Sequence, residues 1–560
     1  MKKGIIFLTL LTLLASCNGN NVTESTQSTS PSSDTEAKPK DSFVNEELKE
    51  NIIDDNYRNY YEIFVASFAD SNGDGVGDLN GITAKLDYLS SIGYTGIWLT
   101  PIFASPSYHK YDTTDYFRID QTFGTMDDLK NLVKEAHKRN IKVILDGVFN
   151  HTGYYNDWFN QALLAKRKQT MNQTLTEEEQ NYASLYVFYD SLEEADKSGK
   201  KYYKAGENDF YYEGNFASAM PELNFKSEFT YTKIKEVIDF YMADDINIDG
   251  FRLDAVKYYE LGDNDSNVRI LTRINKMVKD NNPNGYLVGE CWDSNAVISK
   301  FYESTADSYF YFPASGSDGF IFSSCNNEGR MKGVYYRNAL GMEEDCKEHI
   351  PAPFLNNHDL ARLSFSKNFM YQNKFVLGLL GMLKGSTFHY YGDEIGMSST
   401  NLPNGDYRDS SYRTHYYWDD ETHEMECRDV EHSYKQNQTY PAMKTQLSDN
   451  DSILNYVKEV NQMRNSYPFI QRGEMDDTLD EYDTKLLNTP SKNILPIKKK
   501  YQSKSYKLLF NFSSLGEEEY EVQNDYKVKY VLTADKKTYA TLKDNKLILP
   551  SYAIAVLSQE

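Results

Sequence analysis

Beyond about residue 57 the chain alternates short apolar runs with longer stretches whose apolar residues recur every three or four positions. "YYEIFVASF" (60–68) reads as a strand. In "ITAKLDYLSSIG" (82–93), Ile82, Leu86 and Leu89 share one helical face, and "GYTGIWLTPI" (93–102) returns to a strand. "TMDDLKNLVKEAHKRN" (125–140) opens on a capping box, Thr125 with Asp128, and lines up Leu129, Leu132, Val133 and Ala136. "IKVILDGVFNH" (141–151) is another buried strand, and 249–257, 285–292, 308–313, 351–359 and 387–396 are further candidates. Eight strands joined mostly by helical segments predict an α/β fold, a parallel (β/α)8 TIM barrel.

Two regions break this rhythm. Residues 152–225 are polar, Tyr-rich and irregular, and read as an insertion domain after strand 3. After an amphipathic helix around 452–465, residues 470–560 turn to short alternating runs, predicting a C-terminal all-β sandwich domain. The barrel itself is assigned to 51–151 and 226–469.

The N-terminus has a different composition. Lys2 and Lys3 precede an apolar run, Ile5 to Leu14, that is too short to span a bilayer and ends in "LASC". This resembles the bacterial lipobox, which implies a signal peptide over 1–16 and Cys17 as the lipidated first residue of a cell-envelope lipoprotein anchored to the membrane. The Ser/Thr/Asn-rich stretch that follows buries too little to fold, so 17–50 is expected to be a disordered tether. A net charge of −23, with 83 acidic against 60 basic residues, argues against nucleic acid or anionic lipid headgroups as partners. The expected state is a monomer. Cys291, Cys325, Cys346 and Cys427 lack metal-site spacing, and the sequence leaves their pairing open.

Candidate chemistry begins at "ADSNGDGVGDLNG" (69–81). Asp70, Asn72, Asp74 and Asp78, with Val76 where a backbone carbonyl serves and Gly75 at the turn, match the first nine positions of a calcium loop. A Glu at position twelve is missing, since Gly81 stands there. The competing reading is an acidic Asx/Gly turn. In a barrel, polar groups at the C-terminal ends of strands face the active site. Asp146, Asn150 and His151 end the third strand; Arg252 and Asp254 end the fourth, Glu290 the fifth, and Asn357, His358 and Asp359 the seventh. Three acids from three strands, Asp254, Glu290 and Asp359, are costly to hold together without chemistry or a cation.

"DGVFNH", "GFRLDAVK", "GECWD" and "FLNNHD" stand in the order of the four signatures of the α-amylase family of glycoside hydrolases, and "MPELNF" and "YYGDEIGM" resemble two accessory ones. The resemblance covers residues 57 to 560. It implies Asp254 as nucleophile, Glu290 as general acid/base kept protonated by two adjacent anions, and Asp359 as transition-state stabiliser. Arg252 would keep Asp254 ionised with structural support from Asp146. His151 and His358 would contact sugar hydroxyls, and Tyr111 would stack on the sugar with His109 and Asp112 nearby. Lys257 would lie on the leaving-group side, and Ala255, where 1,6-specific relatives often carry Val, would favour α-1,4 links. Calcium in the 70–78 loop would be structural and remote from proton transfer. The implied function is a retaining hydrolase of α-1,4 bonds in starch, maltodextrin or glycogen-like glucans. The alternatives are a 4-α-glucanotransferase or an α-1,6-glucosidase, and, from a different class, a non-catalytic glucan-binding protein, which usually loses the acids kept here.

Overall fold

Seven strands form one parallel sheet: β1 (Asn59–Ile63), β2 (Gly96–Leu99), β3 (Lys142–Gly147), β4 (Gly250–Leu253), β5 (Tyr286–Gly289), β6 (Ser308–Tyr309) and β7 (Thr387–Tyr390). The coordinates are a computed structural model that describes residues 39, 41–325, 331–363, 369–399, 408–428 and 438–560. The strands pair in the order β6-β5-β4-β3-β2-β1-β7. The gap between β6 and β7 is spanned by Ala352, bridged in parallel to Phe310, and by Phe354, bridged to Phe388. The sheet therefore closes into the barrel. The expected strand over 351–359 is reduced to these two bridges because Pro351 and Pro353 have no N–H to give a ladder. Their carbonyls still accept from Ser386 and Phe388.

The helices follow from the apolar spacing. α1 (Leu79–Ser91) buries Ile82, Leu86 and Leu89. α2 (Met126–His137) starts at the reciprocal Thr125–Asp128 capping box and buries Leu129, Leu132, Val133 and Ala136. Residues 152–225 are more regular than expected. They hold helices Asp157–Thr170, Glu177–Ser184 and Leu192–Ser198 and a three-stranded antiparallel sheet. Polar outer faces hide their periodicity: no residue of Glu177–Ser184 is buried.

The C-terminal region has two sheets. One orders β8 (Glu474–Met475), β9 (Ile494–Tyr501), β10 (Lys504–Asn511), β15 (Ile554–Gln559) and β12 (Tyr526–Leu532); the other orders β11 (Glu518–Glu521), β14 (Lys546–Leu549) and β13 (Thr541–Lys543). Alternation decides which core each residue joins: Leu508 and Phe510 of β10 pack into the barrel's core, whereas Leu509 packs with Leu547 and Leu549 of the second sheet.

The folded unit begins at Asp41, not at residue 51. Residues 41–50, assigned by composition to the tether, lie along the C-terminal sheets, where Phe43 N–H donates to Ala540 O and Glu46 N–H to Lys529 O. The signal segment and Cys17 lie outside the described residues. Among the described residues no helix is long and apolar enough to cross a membrane. The four remaining cysteines are buried and free.

Candidate active site

Arg252, on β4, is fully buried and gathers the acids of three strands. Its Nη1 donates to Asp146 Oδ1 at 2.8 Å and to Asp254 Oδ1 at 2.7 Å. Its Nη2 stands 3.0 Å from Glu290 Oε2, close enough for an ion pair although the N–H is not aligned as a hydrogen bond. The guanidinium also packs 5.0 Å from the centre of the Trp98 ring. The amide of Ala255 donates to the same Glu290 oxygen at 3.0 Å.

Burial pushes the Glu290 carboxyl up to about 8; the Arg252 charge opposes this, and Asp254 and Asp359 add to it. The expected rise is present, but loss of water is its larger cause, ahead of the neighbouring anions. For Asp359, burial also works against the charge, yet the contact with the His358 ring and the charges of Arg413 and Arg252 outweigh it and hold the carboxyl below its ordinary value. Asp146 is raised to about 7 by burial against the pull of Arg252, and accepts from the Tyr111 hydroxyl at 3.0 Å.

These groups open on a cavity of about 990 Å³ lined by His109, Tyr111, His151, Asp254, Glu290, Asp359 and Lys257. Three of the expected substrate-binding residues are not in the lining. Arg252 stands behind Asp254. His358 is wholly buried: Nδ1 pairs with Glu62 Oε1 at 2.6 Å, and Nε2 meets Tyr111 Oη at 2.6 Å and Asp359 Oδ2 at 3.2 Å. Both ring nitrogens are thus engaged within the protein, and burial lowers the imidazole to about 3, so it is neutral. Asp112 accepts from the hydroxyls of Ser105 and Ser107 and shapes the loop that presents His109 and Tyr111. Burial lowers His109 to about 4 and also lowers His151. Lys257 reaches Trp292 O at 2.8 Å and Asp293 Oδ2 at 3.0 Å on the rim.

Sequence reasoning missed several lining groups: Tyr108, Phe216, Tyr258, Trp292, Asp409 and Arg413. Phe216 comes from the insertion and packs 4.7 Å from the Tyr258 ring. Trp292 stacks on Phe312 at 5.1 Å. Arg413 donates to Asp359 Oδ1 at 2.8 Å, His358 O at 2.9 Å and Tyr108 Oη at 2.8 Å. Glu62 was also missed, although a lone acid inside the apolar run 60–68 is a usable signal.

The acidic loop folds on its own amides. Asp70 Oδ1 accepts from Asn72 and Gly73 N–H and Oδ2 from Gly75 N–H; Asp78 accepts from Ser71 and Gly81. Asp74 and Asn72 are exposed. Among the described residues no three His, Cys, Asp or Glu side chains converge as a metal site, and none of these three Asp forms an ion pair. The available donors, carboxylates with the Asn72 amide oxygen and the Val76 carbonyl, are all oxygen and suit a hard cation in kind.

A protein-family model described as the catalytic domain of alpha amylase matches residues 62–473. Alpha-amylase 3 of Dictyoglomus thermophilum is 31% identical over 516 residues, covering 90% of this chain and 93% of that protein. A glucan 1,6-alpha-glucosidase of Streptococcus pneumoniae is 32% identical over 367 residues, 61% of this chain and 65% of that protein. Among solved structures, Eubacterium rectale Amy13B superposes with a TM-score of 0.82 at 34% identity, covering 92% of this chain and 97% of that one.

Proposed function

The chain belongs to the α-amylase family of glycoside hydrolases, and from that premise we propose that it cleaves α-1,4-glucosidic bonds in starch-like glucans with retention of configuration. The observation that carries this reading is the single guanidinium of Arg252 holding Asp254 and Glu290 side by side at the cavity wall. Protonated Glu290 gives its proton to the glycosidic oxygen while Asp254 attacks the anomeric carbon and the bond to the leaving sugar breaks. Ionised Asp359 stabilises the positive charge that builds on the ring. Water, deprotonated by Glu290, then releases the sugar from Asp254.

The choice of bond rests on the leaving-group side. Ala255 lines the cavity with a single methyl, and its backbone sits at φ 49°, which a β-branched side chain adopts only with strain. Lys257 stands on the same side. The Streptococcus pneumoniae relative is named for 1,6 cleavage, and that is the competing reading. Initial rates decide between them: linear maltooligosaccharides should be cut much faster than isomaltose, and a preference for isomaltose would overturn the proposal. Proton NMR should show the α-anomer first; Glu290→Gln should lower kcat by roughly 10²–10⁴-fold.

Two accessory parts belong to the same proposal. Asp70, Asn72, Asp74, Asp78 and the Val76 carbonyl would hold a structural calcium ion. Cys17 would carry the lipid that anchors the exported enzyme to the membrane.

A further inference from the structure

The loop after β1 and the described segment 408–428 are joined along their length. Ser67 Oγ donates to Arg413 O at 2.8 Å, and Tyr416 N–H donates to Ser67 O at 2.8 Å. Trp418 Nε1 donates to Phe68 O at 2.7 Å, Asp70 N–H to Met425 O at 3.0 Å, and Arg428 N–H to Gly75 O at 2.8 Å. The bonds run in order, from Ser67 to Gly75 on one side and from Arg413 to Arg428 on the other. One end of this zipper is the acidic loop. The other end is Arg413, whose guanidinium grips Asp359 Oδ1 at 2.8 Å and the His358 carbonyl at 2.9 Å.

The barrel side fixes the same segment. The Tyr412 carbonyl accepts from Arg362 Nε at 3.1 Å and from the Tyr390 hydroxyl at 3.0 Å. Arg413 is thus delivered to the site by a backbone held on both flanks, and one flank is the loop at 67–75. A displacement of that loop has a direct path to Asp359.

We propose that segment 413–428 is a positioning strap through which the acidic loop sets Arg413, and through Arg413 the orientation of Asp359. The inference rests on the reading of Asp359 as a carboxylate of the reaction. It revises the sequence expectation that the loop stands apart from the chemistry. Arg413 is a positioning residue here, acting on the reaction through Asp359.

Two glycines of the loop make a matched test. Gly73 has φ +82° and a Cβ added there meets nothing within 4 Å, whereas Gly75 has φ +98° and a Cβ there comes 2.8 Å from Arg428 O. Both Gly→Ala changes strain the backbone, but only Gly75→Ala pushes the strap. Each variant is assayed on whichever α-glucoside the wild type cuts fastest, so a wrong bond preference leaves this test intact. Gly75→Ala should lose on the order of tenfold in kcat relative to Gly73→Ala, with KM little changed, since small misplacements of reacting groups cost that much. In an Arg413→Ala background the Gly75→Ala loss should vanish, because the path is already cut. Ser67→Ala, which removes one bond to the Arg413 carbonyl, should show a smaller loss with the same non-additivity, and it serves if Gly75→Ala folds poorly. Equal kcat for the two glycine variants, or losses that multiply with Arg413→Ala for both Gly75→Ala and Ser67→Ala, would overturn the proposal. Failure of the catalytic reading of Asp359 would show separately, as turnover retained by Asp359→Asn.

Discussion

Glu290 Oε2 lies 3.0 Å from the amide nitrogen of Ala255, the residue that follows the proposed nucleophile. That N–H and the Arg252 guanidinium favour the charged carboxylate, yet burial prevails and raises the group to about 8. At neutral pH Glu290 therefore holds its proton, as a general acid requires. The kcat/KM profile should fall as pH rises through about 8, because the free enzyme then loses that proton. The sign for stability is the same: the fold favours the protonated form, so this contribution is full below the ordinary Glu range and is lost as pH rises through the folded value. A pH–rate profile that stays flat well beyond pH ~9 would contradict the assignment.

The acidic loop gives a second prediction. Asp74 is exposed and accepts one hydrogen bond, from Val76 N–H at 2.8 Å. Without a cation, Asp74→Ala should therefore cost little, within the ~0.5–1.5 kcal/mol of one ordinary hydrogen bond. If calcium binds, a free concentration 100 times Kd stabilises the fold by ~2.7 kcal/mol, and Asp74→Ala forfeits much of it. Thermal melts with excess calcium and with excess chelator separate the cases. Identical wild-type melting temperatures in both would make the loop an ordinary turn.

What was legible in the sequence was whatever a strand carries. Asp254 and Glu290 directly follow buried apolar runs, so their place at the barrel mouth followed from the pattern. Asp359 was placed there by the same reasoning, at the end of the expected strand over 351–359, although that strand is reduced to two bridges. Arg413 was not legible, because it reaches Asp359 from a loop with no periodicity, 54 positions along the chain. His358 was read as a sugar contact because only its own motif was weighed. The buried Glu62 on β1 draws it inward, and that pairing spans 296 positions. Residues 41–50 look like tether because polar side chains dominate, but several of those polar groups bond a distant sheet edge.

Localisation has a direct test. Cys17→Ser should move the protein from the membrane to the soluble fraction of the cells that make it, with activity per molecule unchanged. Continued membrane association of the variant would contradict the lipid anchor at Cys17.

The last prediction concerns the start of the folded unit. Residues 42–46 cover one edge of each C-terminal sheet: Ser42 bridges Thr541 on β13, and Asn45 and Glu46 bond β12. Asn45 imitates a backbone pair there, donating from Nδ2 to Val531 O at 2.9 Å and accepting from Val531 N–H at 2.8 Å. Glu46 adds a carboxylate 3.1 Å from Lys529. An uncovered edge presents unpaired N–H and C=O groups to other chains. A chain that starts at Asp41 should remain monodisperse in light scattering and keep the full melting temperature. One that starts at Asn51 exposes both edges, and should melt lower and self-associate as concentration rises. Asn45→Ala should show a mild form of the same defect, since two hydrogen bonds are worth about 1–3 kcal/mol together. If the two truncated chains melt and scatter alike, the segment is a passive extension of the tether and the edges are protected by their lysines alone.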